Sequence, residues 1–567
     1  MKKLLVFCLF AVGLVSVVLV VHSDSNVLPF RWVRVGARLR SDKDLEQIQS
    51  IIQTASEHGL NGIMLSGGLD TLDLQPPEFK QRLATLRRIC EEAKIDIIPS
   101  IFSTGYGSAL MARNKNLAEG LPVRDALYVV KGKEARLEPD PPTPIRNGGF
   151  ENVQGKQLDG FELNGEIGTT VFLDTSTKRS GKSSLRFENF DRQPEGLIRL
   201  SQTITVHPYR NYRISCWVKS ENLVSPDQFG EKAFQLEVFG GEEKRRLQYE
   251  NPRLGENDDW HQVAVGFNSW GYDKVIISPA VTGVAKSRFW IDDLQVEEVG
   301  LLNVLRRPGT PLEVRSEKTG VVYEEGKDYA PISDPNLNYR YDHDGPPIKL
   351  VEGGRIKEGE RLRVSFYHPV LIYNSQVPAC LSEAEPYEIW AEQARLIHEA
   401  LAPRFYFLSA DEQRALGTCK ACADRRLSLG EIMGDCITRQ YKLIKAVNPD
   451  AEVLVWSDML DPNHNADKRD YYYLTSGNFY GAWNHVPKDL IIGCWHYRRR
   501  DVSLKHFSEL GFRTLAAAYY DADDLENPKG WLKSLEKTPR AVGIMYTTWL
   551  RKYDLLAEFG DLVSGKK

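Results

Sequence analysis

The chain has 567 residues, 42% hydrophobic, 26% charged and 10% aromatic, with 73 Lys and Arg against 77 Asp and Glu for a formal charge of −4. That length exceeds one ordinary domain and suits roughly two to four units of about 150–250 residues, while the composition excludes a disordered, fibrous or low-complexity chain. The near-neutral balance excludes a global field that recruits nucleic acid or an acidic membrane surface, and is compatible with an uncharged partner such as a glycan.

Met1, Lys2 and Lys3 precede an unbroken apolar run from Leu4 to Val21 and then the polar stretch His22 to Ser25. This reads as an export signal over residues 1–23, placing the protein in the periplasm or outside the cell. Cleavage near Ser23 and retention as an N-terminal anchor are both compatible with it, and membrane contact is expected only through this segment if it is retained. Beyond it, seven cysteines remain, an odd set that cannot all pair within one chain. Cys90 and Cys216 stand in apolar patterns and read as core. Cys380, Cys419, Cys422 and Cys436 form a tighter set, open to one or two disulfides or to a structural zinc held by thiolates.

Apolar runs then alternate with helical patterns, the order of a parallel α/β fold. Val33 to Leu39 reads as a strand and Leu45 to His58 as a helix; Gly62 to Ser66 is a strand, Pro77 to Ala93 a helix, and Ile95 to Ile101 a third strand. The rhythm breaks at the Pro-rich residues 139–144. Short alternating strands with Gly, Asn and Asp turns follow, through Asn147 to Glu151, Ser180 to Leu185, Tyr212 to Val218, Trp260 and Phe289 to Val296. In that order, these phrases resemble the β-sandwich carbohydrate-binding modules of families 4, 9 and 22. The resemblance implies a jelly roll over residues 144–299 and a structural calcium, which falls on Glu151 and Asp293. Trp217, Trp260 and Trp290 lie in strand patterns and read as core. A second β-rich stretch, residues 300–372, contains the strand Arg361 to Tyr367 and has no functional signal.

From Glu385 the α/β rhythm resumes. A helix over Pro386 to Ala400 leads to the strand Arg404 to Ser409, and a helix from Ile432 to Val447 leads to Glu452 to Trp456. The strands Leu490 to Trp495, Thr514 to Tyr519 and Ala541 to Tyr546 follow, each expected after a helix. Arg498, Arg499 and Arg500 read as a solvated helix start. Three strands before the β-rich stretch and five after it make eight. The predicted fold is therefore an α/β (β/α)8 TIM barrel built from residues 28–138 and 373–567, interrupted after its third strand by an all-β insertion of a jelly roll plus a small β region. Counting Leu362 to Tyr367 as a barrel strand is the alternative, and gives nine.

In such a barrel, polar residues just past the carboxyl ends of strands reach the site. There stand Asp411 and Glu412 after strand four, Trp456 and Asp458 after strand five, Trp495 and Tyr497 after six, Tyr520 and Asp521 after seven, and Trp549 after eight, with Arg34 or Arg38 from strand one. Aromatic faces with carboxylates and an arginine suit a pyranose ring. An adjacent carboxylate also helps keep a carboxylic acid protonated for a poor glycosidic leaving group.

The run from Cys380 to Tyr387 through Phe407 to Glu412, Val455 to Asp458, Ile491 to Trp495, Tyr519 to Asp521 and Trp549 resembles the catalytic barrel of family-20 glycoside hydrolases, the β-N-acetylhexosaminidases. The resemblance covers the barrel halves. It implies an exported, exo-acting hydrolase of N-acetylhexosamine-containing oligosaccharides or polysaccharides, retaining and substrate-assisted, with no cofactor needed for catalysis. Glu412 becomes the general acid and Asp411 the group that holds the acetamido nitrogen; Tyr520 binds the acetamido oxygen, and Trp495 and Trp549 wall the pocket. Leu408-Ser409-Ala410 stands where that family carries His-Gly-Gly, and the sugar-binding arginine of strand one is open between Arg31, Arg34 and Arg38. Two other functions fit the residues: a glycosidase on non-acetamido sugars with Asp458 or Asp521 as second carboxylate, and a non-catalytic glycan-binding envelope protein.

Overall fold

The computed structural model describes residues 27–566 apart from 37, 141, 225–232, 243 and 374. The expected export segment lies outside the described residues; among these, no helix is long and apolar enough to cross a membrane. Eight strands close into a parallel barrel in chain order: β1 (Phe30–Gly36), β2 (Gly62–Ser66), β3 (Asp96–Ile101), β4 (Phe405–Leu408), β5 (Glu452–Trp456), β6 (Ile491–Cys494), β7 (Arg513–Tyr519) and β8 (Ala541–Thr547). The ring is sealed where Phe30 to Val33 of β1 pairs with Gly543 to Tyr546 of β8.

These strands are apolar runs because both of their faces are covered. Inward side chains Trp32, Met64, Ile98, Phe405, Phe407, Leu454, Leu515 and Met545 fill the lumen, whereas Val33, Ile63, Ile97, Tyr406, Val453 and Ile544 join an outer core with the surrounding helices. One end of the lumen is plugged by Trp32, fully buried, with Phe30 at 5.2 Å and Phe405 at 5.1 Å between ring centroids. Gly62 gives the indole its space, since a Cβ there would lie 2.5 Å from the Trp32 ring.

The helices Asp42–Glu57 and Leu429–Val447 each begin with a reciprocal capping box, Ser41 with Asp44 and Ser428 with Glu431. These pairs satisfy amide groups that a helix start otherwise leaves without partners. Between β5 and β6 the expected helix is absent: the chain makes only short 3-10 turns at Asp458–Leu460 and Ala482–Asn484. Pro462, Gly477, Gly481 and Pro487 interrupt any helical run there.

Between β3 and β4 the chain passes through three five-stranded sheets. Two of them share one apolar core, to which Ile198, Ile214, Val218, Leu236, Ile277 and Ile291 contribute. The third orders Glu313–Ser316, Arg361–His368, Leu121–Lys131, Glu134–Leu137 and Ile348–Lys349. Arg361–His368 is therefore no barrel strand: it pairs antiparallel with Leu121–Lys131, from Arg361 opposite Val129 to His368 opposite Leu121. Residues 121–137, assigned from sequence to the first half of the barrel, belong to this sheet as well. Entry and exit thus lie side by side, with Ala118 bridged to Ala379. The fully buried Arg210–Glu298 ion pair, at 3.1 Å, ties the double-layered part to this sheet, because Arg210 also donates to Asp125 O at 2.7 Å.

Of the three tryptophans expected in the core of the β-rich region, only Trp290 is buried, donating to Asp174 Oδ2 at 3.0 Å. Trp217 and Trp260 are half-buried, and Arg179 lies 4.1 Å over the Trp217 ring. Glu151 accepts from Lys182 N at 2.8 Å and Ser183 Oγ at 3.3 Å, and Asp293 accepts from Ser180 Oγ at 2.7 Å. Both carboxylates hold the 180–183 turn by accepting from its donors.

Replacing Trp32 with Ala empties the plug and is expected to cost about 3–5 kcal/mol. The urea unfolding midpoint of Trp32→Ala should fall accordingly, and an unchanged midpoint would show that the indole does not hold the lumen closed.

Candidate active site

A cavity of about 740 Å³ opens at the carboxyl ends of the barrel strands. Asp411, Glu412, Arg34, Arg38, Trp456, Trp495, Tyr520 and Trp549 line it, as the sequence placed them, together with Asp70 and Tyr106, which sequence reasoning missed. Its size suits a small ligand with many contacts. Asp458, Tyr497 and Asp521 do not line it.

Asp411 and Glu412 lie just past β4 on a backbone turned sharply enough that Glu412 has φ of +48°. Three contacts fix this turn. Glu412 N donates to Asp458 Oδ2 at 3.0 Å, Gln376 Nε2 donates to Glu412 O at 2.9 Å, and Gly105 packs so closely that a Cβ on it would lie 2.2 Å from Asp411 O.

The two carboxyl groups occupy opposite electrostatic environments. Glu412 Oε1 pairs with Arg414 at 2.7 Å and Oε2 accepts from the Tyr106 hydroxyl at 2.5 Å. Asp411 has no such ion pair among the described contacts. Burial, followed by the charges of Asp458 and Glu412, pushes its carboxyl well above the ordinary aspartate range. Asp458, fully buried, is raised to about 6 by burial and then by Glu412, despite accepting from Glu412 N and, at 2.9 Å, from Asn465 Nδ2. It supports the turn from behind and does not face the cavity.

The far wall depends on β7 and β8. Tyr519, Tyr520 and Asp521 have φ of +82°, +59° and +61° in succession. Non-glycine residues in this region cost about 1–3 kcal/mol each and persist only where the surroundings enforce them. Here Asp521 accepts from Trp549 N at 2.8 Å, from Leu550 N at 3.3 Å and from the Thr548 hydroxyl, so its carboxylate clamps the loop that carries Trp549. Asp521, expected as a ligand-contacting group, does not line the cavity; its oxygens take these loop donors. Arg34 donates to Thr548 O at 2.8 Å and stacks 3.9 Å over the Trp549 ring, with burial lowering its pKa to about 10. Arg34 and Arg38 reach the cavity. Arg31 bonds Gly59 O and Leu28 O at the opposite end of the barrel.

Trp495 is backed by His464, at 4.4 Å between ring centroids and held neutral by burial, with a pKa pulled to about 3. Tyr497 turns away and packs at 6.1 Å from Trp531 and against Gly530. Asp70 was missed because it follows β2 without a carboxylate neighbour to mark it. It accepts from Phe102 N at 2.7 Å and Ser103 N at 3.3 Å, and burial raises it to about 6. Tyr106 and Arg414 had only nearness to β3 and to the acidic pair as signals.

No protein-family model and no curated protein matches the chain. Its neighbours among solved structures include carbohydrate-binding modules and a rhamnosidase. "Family 16 Carbohydrate Binding Module-2" is 14% identical with a TM-score of 0.21, covering 27% of this chain and 99% of its own. A structure titled "CBM4 structure and function" is 13% identical with a TM-score of 0.20 and the same coverages. The rhamnosidase from Novosphingobium sp. PP1Y is 10% identical with a TM-score of 0.33, and the match covers 95% of this chain but 59% of that one.

Gly105→Ala drives a methyl group into the backbone of the acidic pair. A loss of about 1–3 kcal/mol is expected, read as a lowered thermal midpoint; equal midpoints would show that the pair is not locked against this loop.

Proposed function

We propose that this chain is a glycoside hydrolase working at the barrel cavity. The observation that carries the reading is the split of the carboxyl pair: burial and neighbouring carboxylates raise Asp411, which has no ion pair among the described contacts, while Glu412 is paired with Arg414 and Tyr106. Hydrolysis of a glycosidic bond needs this division, one group to protonate the departing oxygen and one negative charge to support the sugar cation. The family resemblance alone makes Glu412 the acid. The electrostatics favour the reverse, with Asp411 donating the proton and Glu412 facing the developing charge.

The substrate we propose is a terminal N-acetylhexosamine whose own acetamido oxygen attacks the anomeric carbon, with Glu412 accepting from the acetamido N–H. The sequence resemblance supports the choice of sugar. A second reading, a non-acetamido sugar with Glu412 as nucleophile, draws on the same ion pair. Glu412 is preferred to Asp458 and Asp521 as that second carboxylate because it lines the cavity, whereas those two do not line it and accept from backbone amides and Asn465. Trp495, Trp549 and Tyr520 offer the sugar its aromatic walls, and Arg34 and Arg38 offer donors to its hydroxyls. Export, if the leader acts as its sequence suggests, places this activity on glycans outside the cytoplasm.

Aryl glycosides of N-acetylglucosamine, glucose and rhamnose test these points. Asp411→Asn should lower kcat/KM by about 10²–10⁴ on poor leaving groups and much less on a dinitrophenyl glycoside, which departs without a proton. Glu412→Gln should be impaired on both. Rescue of Glu412→Gln alone would return the acid to Glu412, and no turnover beside measurable glycan binding would leave a binding protein. Hydrolysis of the glucoside or rhamnoside in preference to the acetamido sugar selects the second reading.

The pH profile gives a further check. Donation by Asp411 requires its protonated form, so activity falls as pH rises through its elevated pKa. The charge of Asp458 helps raise that pKa. Asp458→Asn should therefore move the alkaline limb of kcat/KM to lower pH, and a limb that stays in place would detach it from Asp411.

A further inference from the structure

The loop that follows the acidic pair brings Cys419 and Cys422 against Cys380 and Glu119, all four buried and with their ligand atoms within 4.8 Å of one another. The fourth member differs from the sequence expectation. Cys436 lies elsewhere, beside Tyr387, and a carboxylate takes its place. Glu119 precedes the inserted sheets and had no cysteine spacing to reveal it.

Cys380 Sγ stands 3.6 Å from Cys419 Sγ and 3.9 Å from Cys422 Sγ. A tetrahedral ion with Zn–S bonds of about 2.3 Å requires sulfur–sulfur edges of about 3.8 Å. Glu119 Oε2 stands 3.6 Å from Cys422 Sγ and 3.8 Å from Cys419 Sγ. With a Zn–O bond of about 2.0–2.2 Å, the corresponding sulfur–oxygen edge is about 3.5–3.7 Å. A disulfide needs about 2.05 Å between sulfurs and would leave a third thiol and a buried carboxylate unmatched.

The second layer suits a cation as well. Glu119 Oε1 accepts from Thr418 N at 3.0 Å, Thr418 Oγ1 at 2.9 Å and Cys419 N at 3.0 Å, which turns Oε2 toward the sulfurs. Arg307, anchored to Asn116 O at 2.7 Å and Ala118 O at 2.9 Å, brings a positive charge beside a set that holds one carboxylate and up to three thiolates. Such outer contacts orient ligands and moderate their charge.

We infer that Glu119, Cys380, Cys419 and Cys422 form a structural zinc site. Four protein ligands leave no open position, so the ion is structural and takes no part in hydrolysis. It would join three stretches of chain: where the inserted sheets leave the barrel, where they return, and the loop after Asp411 and Glu412.

Zinc content by elemental mass spectrometry of the full chain, purified without chelator, tests the site. About one equivalent is expected, lost in Cys422→Ser, reduced in Glu119→Ala, and retained in Glu119→Cys and in the control Cys436→Ser. Loading the wild-type chain with cobalt instead should give the visible bands and thiolate charge transfer of a tetrahedral thiolate site, a readout independent of whether any variant folds. Less than a tenth of an equivalent of zinc, or intact-mass evidence of a disulfide within the set, would overturn the inference. So would zinc retained in full by folded Cys422→Ser. None of these readouts depends on turnover, so the hydrolase reading stands or falls separately.

Discussion

Two carboxyl groups on consecutive residues cannot both be charged in a confined pocket unless a cation relieves one of them. Arg414 pairs with Glu412 at 2.7 Å, while burial, and then the charges of Asp458 and Glu412, raise Asp411. The surrounding structure serves to maintain that asymmetry. Asp458 is held behind the turn by Glu412 N and Asn465, Gly105 locks the backbone from the opposite side, and Tyr106 completes the contacts of Glu412. Where a carboxyl group is as buried as Asp458, an uncompensated charge is costly.

The aromatic wall obeys a different constraint. Trp549 is 40% exposed and Tyr520 36% exposed, so their positions come from the backbone beneath them and not from deep packing. That backbone is held in three successive left-handed conformations, with the Asp521 carboxylate gathering the donors of the next loop. Strain at this point is sustained by the closed barrel, whose β7 and β8 pair along six registered positions.

Much of the barrel was legible because its strands are short apolar runs of nearly fixed length. Gly62–Ser66 and Glu452–Trp456 have the bounds their composition suggests. The acidic pair could be found because a strand end gives a residue an address. What escaped was whatever depends on distant chain segments meeting. Tyr106, Arg414 and Asp70 carry no local pattern of their own. Asp458 and Asp521 stood at proper strand ends, yet their oxygens answer to backbone amides that no periodicity reveals. Glu119 replaced Cys436 in the thiol cluster because proximity there is set by the neck of the inserted sheets. The missing helix between β5 and β6 shows the converse: its prolines and glycines were local signals, outweighed in the reading by the alternation on either side.

The antiparallel pairing of Leu121–Lys131 with Arg361–His368, and the Ala118–Ala379 bridge below it, leave the two ends of a stretch of about 250 residues as immediate neighbours. Chains crossing a paired bridge of this kind stand only about 5 Å apart. Along the chain the excursion thus begins and ends at one place between β3 and β4, and it also touches the β5–β6 loop, where Arg245 Nε donates to Tyr473 O at 3.0 Å. Topologically it is a handle: its two feet stand together, and every strand of the cylinder lies outside it in chain order.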